Sequence, residues 1–211
     1  MRSMILLAAA AAVLALQGCA ATPKAALSAM QSSPNALSLA AAAGSGAQSA
    51  LIKPGEKLDL ALGPESPVLT DGSLKASFQH VTLTLDKPGP VVIEVHAWCD
   101  CLGFAKNIFV PRLFAQGVQG TVVELPPSSR ALVAPTWTAA ASMLNVWSLL
   151  DVPEGTHTLL IAADTRLVGG AVGTQGRSTM VAAGNGVYVP MGGGGLAMAV
   201  YPYGRYELRI K

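Results

Sequence analysis

Apolar residues alternate with other residues along much of the chain. Leu58, Leu60 and Leu62 recur at a spacing of two, and so do the apolar positions of residues 81–85 and 91–95. Alternation of this kind sets one row of side chains against a core and the other toward water, which predicts half-buried β-strands. The pattern predicts further strands at 107–114, 121–125, 144–149, 158–163, 187–189, 196–201 and 206–210.

Turn-forming sequences separate these strands, as at residues 70–72, 86–90 and 152–155. No long stretch with helical periodicity follows residue 55, so the parallel crossovers of an α/β fold are not expected. Short strands at this spacing favour an all-β domain over residues 55–211, a two-sheet antiparallel sandwich of the jelly-roll type. The glycine-rich residues 168–195 interrupt the pattern, which predicts a long loop with one short strand.

The N-terminus carries a targeting pattern. Arg2 gives a basic start, and residues 4–16 are apolar but too short to span a bilayer, which needs about 20 apolar residues. The stretch ends in Leu-Gln-Gly-Cys at Cys19, which resembles the signal of bacterial lipoproteins. The resemblance implies that residues 1–18 are a signal peptide and that Cys19 carries the lipid, palmitate included. An ordinary secretory signal and a chance apolar start are the alternatives.

The residue after the cysteine bears on the destination. Ala20 rather than Asp follows Cys19. In a Gram-negative cell the lipoprotein pattern then implies an anchor in the outer membrane, facing the periplasm. Residues 19–54 are rich in Ala and Ser and lack aromatic residues, which favours a flexible tether. The alternative is a short helix that docks on the domain through Leu27, Met30, Leu37 and Leu39.

Composition and net charge restrict the classes of ligand that the protein is expected to bind. Hydrophobic residues make up 51% of the 211-residue chain and charged residues 12%, with a formal net charge of +2. This balance argues against nucleic acid, which calls for a clearly basic face. The glycine-rich segment lacks the lysine and the glycine spacing of a phosphate-binding loop. We expect no cofactor.

The most unusual local feature is Cys99-Asp100-Cys101. An exported chain meets an oxidising compartment, which favours a local disulfide between Cys99 and Cys101, with a free or partner-linked thiol pair as the alternative. With Glu94 and His96 the two cysteines also offer ligand types for zinc or copper, although no second cysteine pair exists. No nucleophile motif is present, so we predict no catalytic residue.

Large rings are more often buried than exposed. We therefore expect Trp137 and Trp147 in the core and the residues 201–206 in a tight hairpin. Trp98 shares the strand face of Glu94 and His96 and is the best candidate for an exposed aromatic platform.

A family resemblance rests on Leu58-Asp59-Leu60, on Gly72-Ser73 with Phe78, and on the strands at 81–85 and 91–95. This order resembles the maltose operon periplasmic protein family and pre-peptidase C-terminal β-domains. The late strands at 156–161 and 206–210 fit the same pattern, while the cysteine pair and the glycine-rich insertion depart from it. The resemblance implies an envelope β-sandwich without catalytic residues, associated with carbohydrate in the first family.

Together these features predict an anchored envelope lipoprotein that acts as a binding or structural accessory module rather than an enzyme. Its partners would be the membrane, through the lipid, and an envelope protein or glycan. The contacts would use the glycine-rich loop and the end that carries Cys99. A metal-binding or thiol-redox protein centred on Cys99 and Cys101 is the first alternative, and a carbohydrate-associated periplasmic protein is the second.

Overall fold

The computed structural model describes most of the chain from residue 22 onward. The described residues are 22–45, 49–72, 74–85, 87–100, 106–117, 120–133, 143–152, 155–173, 179–182, 188–191 and 197–211. Cys19, Cys101 and Trp137 lie outside them, as does the predicted signal peptide, so the predictions made for these residues stay predictions.

Strands dominate the described residues. Numbered in chain order, the strands are β1 (Leu37–Ser38), β2 (Ala50–Ile52), β3 (Lys57–Leu62), β4 (Val68–Asp71), β5 (Leu74–Leu85), β6 (Gly89–Trp98), β7 (Asn107–Phe109), β8 (Pro111–Gln116), β9 (Val122–Leu125), β10 (Ser129–Val133), β11 (Met143–Val152), β12 (Gly155–Ala163), β13 (Ala171–Gly173), β14 (Thr179–Ala182), β15 (Tyr188–Met191), β16 (Ala197–Tyr201) and β17 (Gly204–Ile210). The helices are α1 (Pro23–Gln31), α2 (Leu39–Gly44) and a short 3-10 helix, Thr165–Leu167.

Two large sheets form the domain. The five-stranded sheet runs in the order β10-β11-β6-β17-β3, and every pair in it is antiparallel. The seven-stranded sheet runs β1-β4-β5-β12-β8-β9, and β2 also pairs with β5. A three-stranded sheet, β13-β16-β7, and the pair β14-β15 complete the described strands. Parallel pairing occurs at β1–β4, β2–β5 and β7–β16.

The main core fills the space between the two large sheets. Val81 and Leu159 face it from the seven-stranded sheet, and Val95 and Leu208 face it from the five-stranded sheet, all fully buried. These side chains occupy alternate positions of their strands, as the spacing of two predicts. The all-β sandwich is therefore confirmed, with the short parallel pairs as a difference from a purely antiparallel arrangement.

The N-terminal segment packs on the domain. Thr22 caps α1 by accepting a hydrogen bond from the backbone N–H of Ala25, and Pro23 opens the helix. Met30, on the inner side of α1, is 3% exposed, and its sulfur accepts a hydrogen bond from the backbone N–H of Ser77 at 3.0 Å. Lys75 Nζ donates to the carbonyls of Gln31 and Ser33.

The next segment continues the packing. In α2, Ala42 and Ala43 are buried in a second core on the outer face of the seven-stranded sheet, where Leu37 and Leu39 pack against it. In β2, Ile52 is fully buried in the main core. The described part of the predicted tether is thus integrated into the fold, and the docked-helix alternative describes its N-terminal half.

None of the helices in the described part of the chain combines the length and apolar character needed to cross a bilayer.

Candidate functional site

The central strands of the five-stranded sheet place charged side chains together on its outer face. His96 on β6 lies opposite Asn145 on β11 and Glu207 on β17, and Glu94 lies opposite Trp147 and Arg209. Directly opposite residues of antiparallel strands point to the same side of a sheet. We call Glu94, His96 and Glu207 the buried charge cluster, because they are 5%, 9% and 4% exposed.

A lysine ammonium and an indole N–H cover the Glu94 carboxylate. Lys211 Nζ donates to Glu94 Oε1 at 2.7 Å, and the Trp147 indole N–H donates to the same oxygen at 2.8 Å. Burial opposes ionisation of Glu94, but these two donors outweigh it, so the pKa of Glu94 lies below its usual value. Glu94 therefore carries a full negative charge at neutral pH.

Glu207 has a similar environment. The Arg209 guanidinium donates to Glu207 Oε1, and Lys57 Nζ lies 3.3 Å from Oε2. Burial opposes ionisation here as well, and the two cations outweigh it, so the pKa of Glu207 is also lowered. Two buried carboxylates thus remain charged on either side of one histidine.

His96 lies between the carboxylates. Its Nε2 is 3.4 Å from Glu94 Oε2 and its Nδ1 is 3.9 Å from Glu207 Oε1. Among the described residues, Nε2 has no partner that meets hydrogen-bond geometry. The cluster is an ion-pair network on a sheet face, and within the described residues no set of three or more His, Cys, Asp or Glu side chains is arranged to hold a metal.

Cys99 lies on the opposite side of β6. It belongs to the main core and is 6% exposed, while Glu94 and His96 face outward. The fold brings Glu94 and His96 together on the outer face, whereas Cys99 belongs to the main core. Because Cys101 lies outside the described residues, the alternative of a zinc or copper site made by all four residues stays a hypothesis. Cys99 is not free in the structure, and since Cys101 lies outside the described residues, the Cys99–Cys101 disulfide stays a prediction.

Trp147 also differs from expectation. Instead of entering the core it is half-buried on the outer face, where its indole binds Glu94. Its neighbours Leu144, Val146 and Ser148 occupy the buried positions of β11, so the alternation of the strand directs Trp147 outward.

Beyond the end of β6 the surface becomes concave. A cavity of about 610 Å³ opens there, lined among others by Trp98, Tyr201, Tyr203 and Arg205, which we call the aromatic groove. An adjoining cavity of about 480 Å³ shares Trp98 and Arg205 and reaches Asp59. Trp98 is half-buried, as expected for a platform exposed on one side.

The two groove tyrosines stand edge to face. Their ring centroids are 6.0 Å apart at an interplanar angle of 70°. Burial raises the pKa of both Tyr201 and Tyr203, so each presents a neutral hydroxyl group at neutral pH. The groove thus combines aromatic faces with hydroxyl groups and, at Arg205, an exposed guanidinium.

Gly204 shapes the floor of the groove. A Cβ at this position would lie 2.6 Å from the Cβ of Phe109, which is closer than real Cβ contacts allow. Glycine therefore permits β17 to begin directly against the Phe109 ring, which packs on Tyr206 with centroids 5.5 Å apart.

The alternation along β6 predicts Trp98, Glu94 and His96 on one face, where the structure has them. The predicted hairpin at residues 201–206 is wrong, because β16 pairs with β7 whereas β17 pairs with β3 and β6. Glu207 is not predicted, because it meets His96 only through the pairing of β17 with β6. The alternation of Glu207 and Arg209 with the apolar residues of β17 is the signal in the sequence that places both on one face.

The fold and the groove define an all-β sandwich domain with a concave aromatic surface at one end. No protein-family model and no curated protein matches the chain. Among solved structures, the chain is similar to the pre-peptidase C-terminal domain of a collagenase from Bacillus anthracis, at 9% identity and a TM-score of 0.34. That similarity covers 77% of this chain and 94% of that domain. It amounts to a weak β-domain resemblance and carries no argument about function.

Proposed function

We propose that this protein is a lipid-anchored binding module of the bacterial cell envelope, and that its ligand binds in the aromatic groove. The observation that carries the proposal is the groove itself, with four aromatic residues and an exposed arginine around a cavity of about 610 Å³. Ligand sites typically occupy about 300–1,000 Å³ and combine apolar walls with a few polar groups. The groove also lies at the end of β6 that leads to Cys99, where the sequence predicts contacts.

The anchor rests on the N-terminal sequence. A basic start, a short apolar segment and Leu-Gln-Gly-Cys at Cys19 support export of the chain and lipidation of that cysteine. In a Gram-negative cell, Ala20 after the cysteine supports the outer membrane as the destination. Replacement of Cys19 by serine tests this directly. We expect the wild-type protein to sediment with membranes and to incorporate a labelled fatty acid, and Cys19→Ser to do neither. Unchanged partition and mobility of the variant would refute the anchor.

A carbohydrate is the ligand class that the groove favours. Sugar rings stack on aromatic faces, while hydroxyl and guanidinium groups bind their hydroxyls; Tyr201, Tyr203 and Arg205 supply both kinds of polar group beside Trp98. An envelope protein strand is the alternative occupant, because the same side chains are enriched at protein interfaces.

Calorimetric titration with maltoheptaose and with a soluble muropeptide tests the carbohydrate candidate. If carbohydrate is the ligand, at least one glycan binds saturably and Trp98→Ala abolishes the signal. Trp147→Phe is the matched control, since it changes a tryptophan on the same sheet face but outside the groove. Absence of binding by the wild-type protein, or an unchanged affinity in Trp98→Ala, would remove the carbohydrate candidate.

A further inference from the structure

The attachment of α1 to the domain determines where a lipid on Cys19 must lie. Lys75 and Gln31 exchange hydrogen bonds across the end of the helix, where Lys75 Nζ reaches the Gln31 carbonyl at 2.8 Å and Gln31 Nε2 reaches the Lys75 carbonyl at 3.0 Å. With Ala26 and Met30 buried beneath it, α1 is fixed to the seven-stranded sheet and to β16. The helix is therefore part of the folded domain rather than a flexible linker.

The chain between the lipid and this helix is short. Only Ala20 and Ala21 separate Cys19 from the helix cap Thr22. At about 3.3–3.6 Å per extended residue, the Cα atoms of Cys19 and Thr22 can be at most about 11 Å apart. A bilayer that holds the acyl chains of Cys19 must consequently lie next to the start of α1.

The surface beside the start of α1 suits a lipid headgroup region. Lys24 lies along Gly169, with its Cε 3.5 Å from where a Cβ of that glycine would be. Gly169 belongs to the turn that follows Leu167, whose side chain is 38% exposed, and Gly170 closes that turn by donating to the Leu167 carbonyl. A lysine stem beside an exposed apolar side chain is the combination found at membrane interfaces, where the ammonium group stays in water.

We propose that the surface formed by Lys24, Leu167 and Gly169 rests on the bilayer that holds the anchor, so that the domain has a fixed orientation on the membrane. The proposal rests on the lipidation of Cys19 proposed above. It goes beyond anchoring, because a flexible tether would leave every side of the domain equally exposed to lipid.

Site-specific photo-crosslinking to lipid tests the orientation. The full-length lipidated protein is reconstituted in vesicles of phosphatidylethanolamine and phosphatidylglycerol, with p-benzoylphenylalanine in place of Leu167. Leu149 is the matched control, since it is also an exposed leucine, 61% exposed, but lies on the outer face of the five-stranded sheet. We expect several-fold more lipid adduct at position 167 than at position 149.

A spacer variant provides the second comparison. An insert of about 20 Gly and Ser residues between Ala21 and Thr22 has a root-mean-square span of about 25 Å. The spacer variant should partition with membranes as the protein without the spacer does. Its yields of lipid adduct at positions 167 and 149 should be equal.

The outcomes separate the anchor from the orientation. Membrane partition with equal adducts at both positions would overturn the orientation and leave the anchor standing. Failure of the protein to partition at all would overturn both. Selective adducts at position 167 that persist in the spacer variant would also count against the proposal, because the short connection would then not be their cause.

Discussion

Neighbouring residues of β2 provide the sharpest test of whether residues 22–52 belong to the domain. Ile52 is 0% exposed in the main core, whereas Leu51, the residue before it, is 56% exposed. Both are β2 residues that pair with β5. Substitution of each by alanine removes the same number of carbon atoms from neighbouring positions of one strand, so the comparison isolates burial from local sequence.

The expected magnitude follows from burial. Replacement of a fully buried isoleucine by alanine costs about 2–5 kcal/mol in the free energy of unfolding, because the lost apolar contacts leave a cavity. At about 2–4 °C per kcal/mol for a domain of this size, the melting temperature of Ile52→Ala should fall by about 4–20 °C. Leu51→Ala should change the stability by no more than about 0.5 kcal/mol.

The assay is urea denaturation of the chain from Ala20 onward, followed by far-UV circular dichroism, with a thermal melt as a second measurement. The two variants should keep the wild-type dependence on urea concentration, so that a shift in midpoint reports stability alone. Equal midpoints for Ile52→Ala, Leu51→Ala and the wild type would refute the integration of this segment and restore a free tether.

Three further outcomes follow from buried groups. The stability that Glu94→Gln loses relative to the wild type should become smaller as pH falls from 6 to 3. The folded pKa of Glu94 lies below its unfolded value of about 4.3. The stabilisation by its carboxylate is therefore present above about pH 4.3 and is lost as pH falls through the folded pKa. Urea midpoints at both pH values check this, with the exposed Asp151→Asn as control, and a constant difference would contradict it. Tyr206→Phe should leave stability unchanged or raised in a thermal melt, because within the described residues the buried Tyr206 hydroxyl has no hydrogen-bond partner; a clear loss would indicate a partner. Gly204→Ala should lower the free energy of unfolding, measured by urea denaturation, by about 1–3 kcal/mol, because it forces a Cβ against Phe109. An unchanged stability would show that the backbone or Phe109 moves to accommodate the Cβ.

Alternation was enough to predict the strands with one buried and one exposed side. The long strands β5, β6, β11 and β12 contain the predicted segments because every second residue contacts the core. The edge strand β10 was missed, since its residues are exposed or half-buried and show no alternation of burial. Of its residues only the half-buried Leu132 packs against the main core, and a single such position leaves no alternation in the sequence.

The N-terminal helices were hard to predict for a different reason. Apart from Met30, α1 buries only the small side chain of Ala26, and α2 buries only alanines. Such segments have the composition of a linker, and their stability comes from a sheet face that is assembled from distant parts of the chain. The position of Cys99, by contrast, can be predicted from the sequence. Side chains of an extended chain alternate between two faces, and Cys99 lies an odd number of residues after both Glu94 and His96, so it belongs to the other face.

Tyr203 connects the groove with the end of α1. It lines both the aromatic groove and a cavity that Ser33 and Pro34 line just past the end of α1. With α1 about 13 Å long and the connection to Cys19 at most about 11 Å, the groove lies within roughly 30 Å of Cys19. Under the lipidation proposed for Cys19, a ligand of the groove approaches the membrane closely. The spacer variant should keep the wild-type affinity for a ligand in solution. In cells it should lose capture of a ligand that is held at the membrane surface. Equal capture with and without the spacer would show that the ligand diffuses freely.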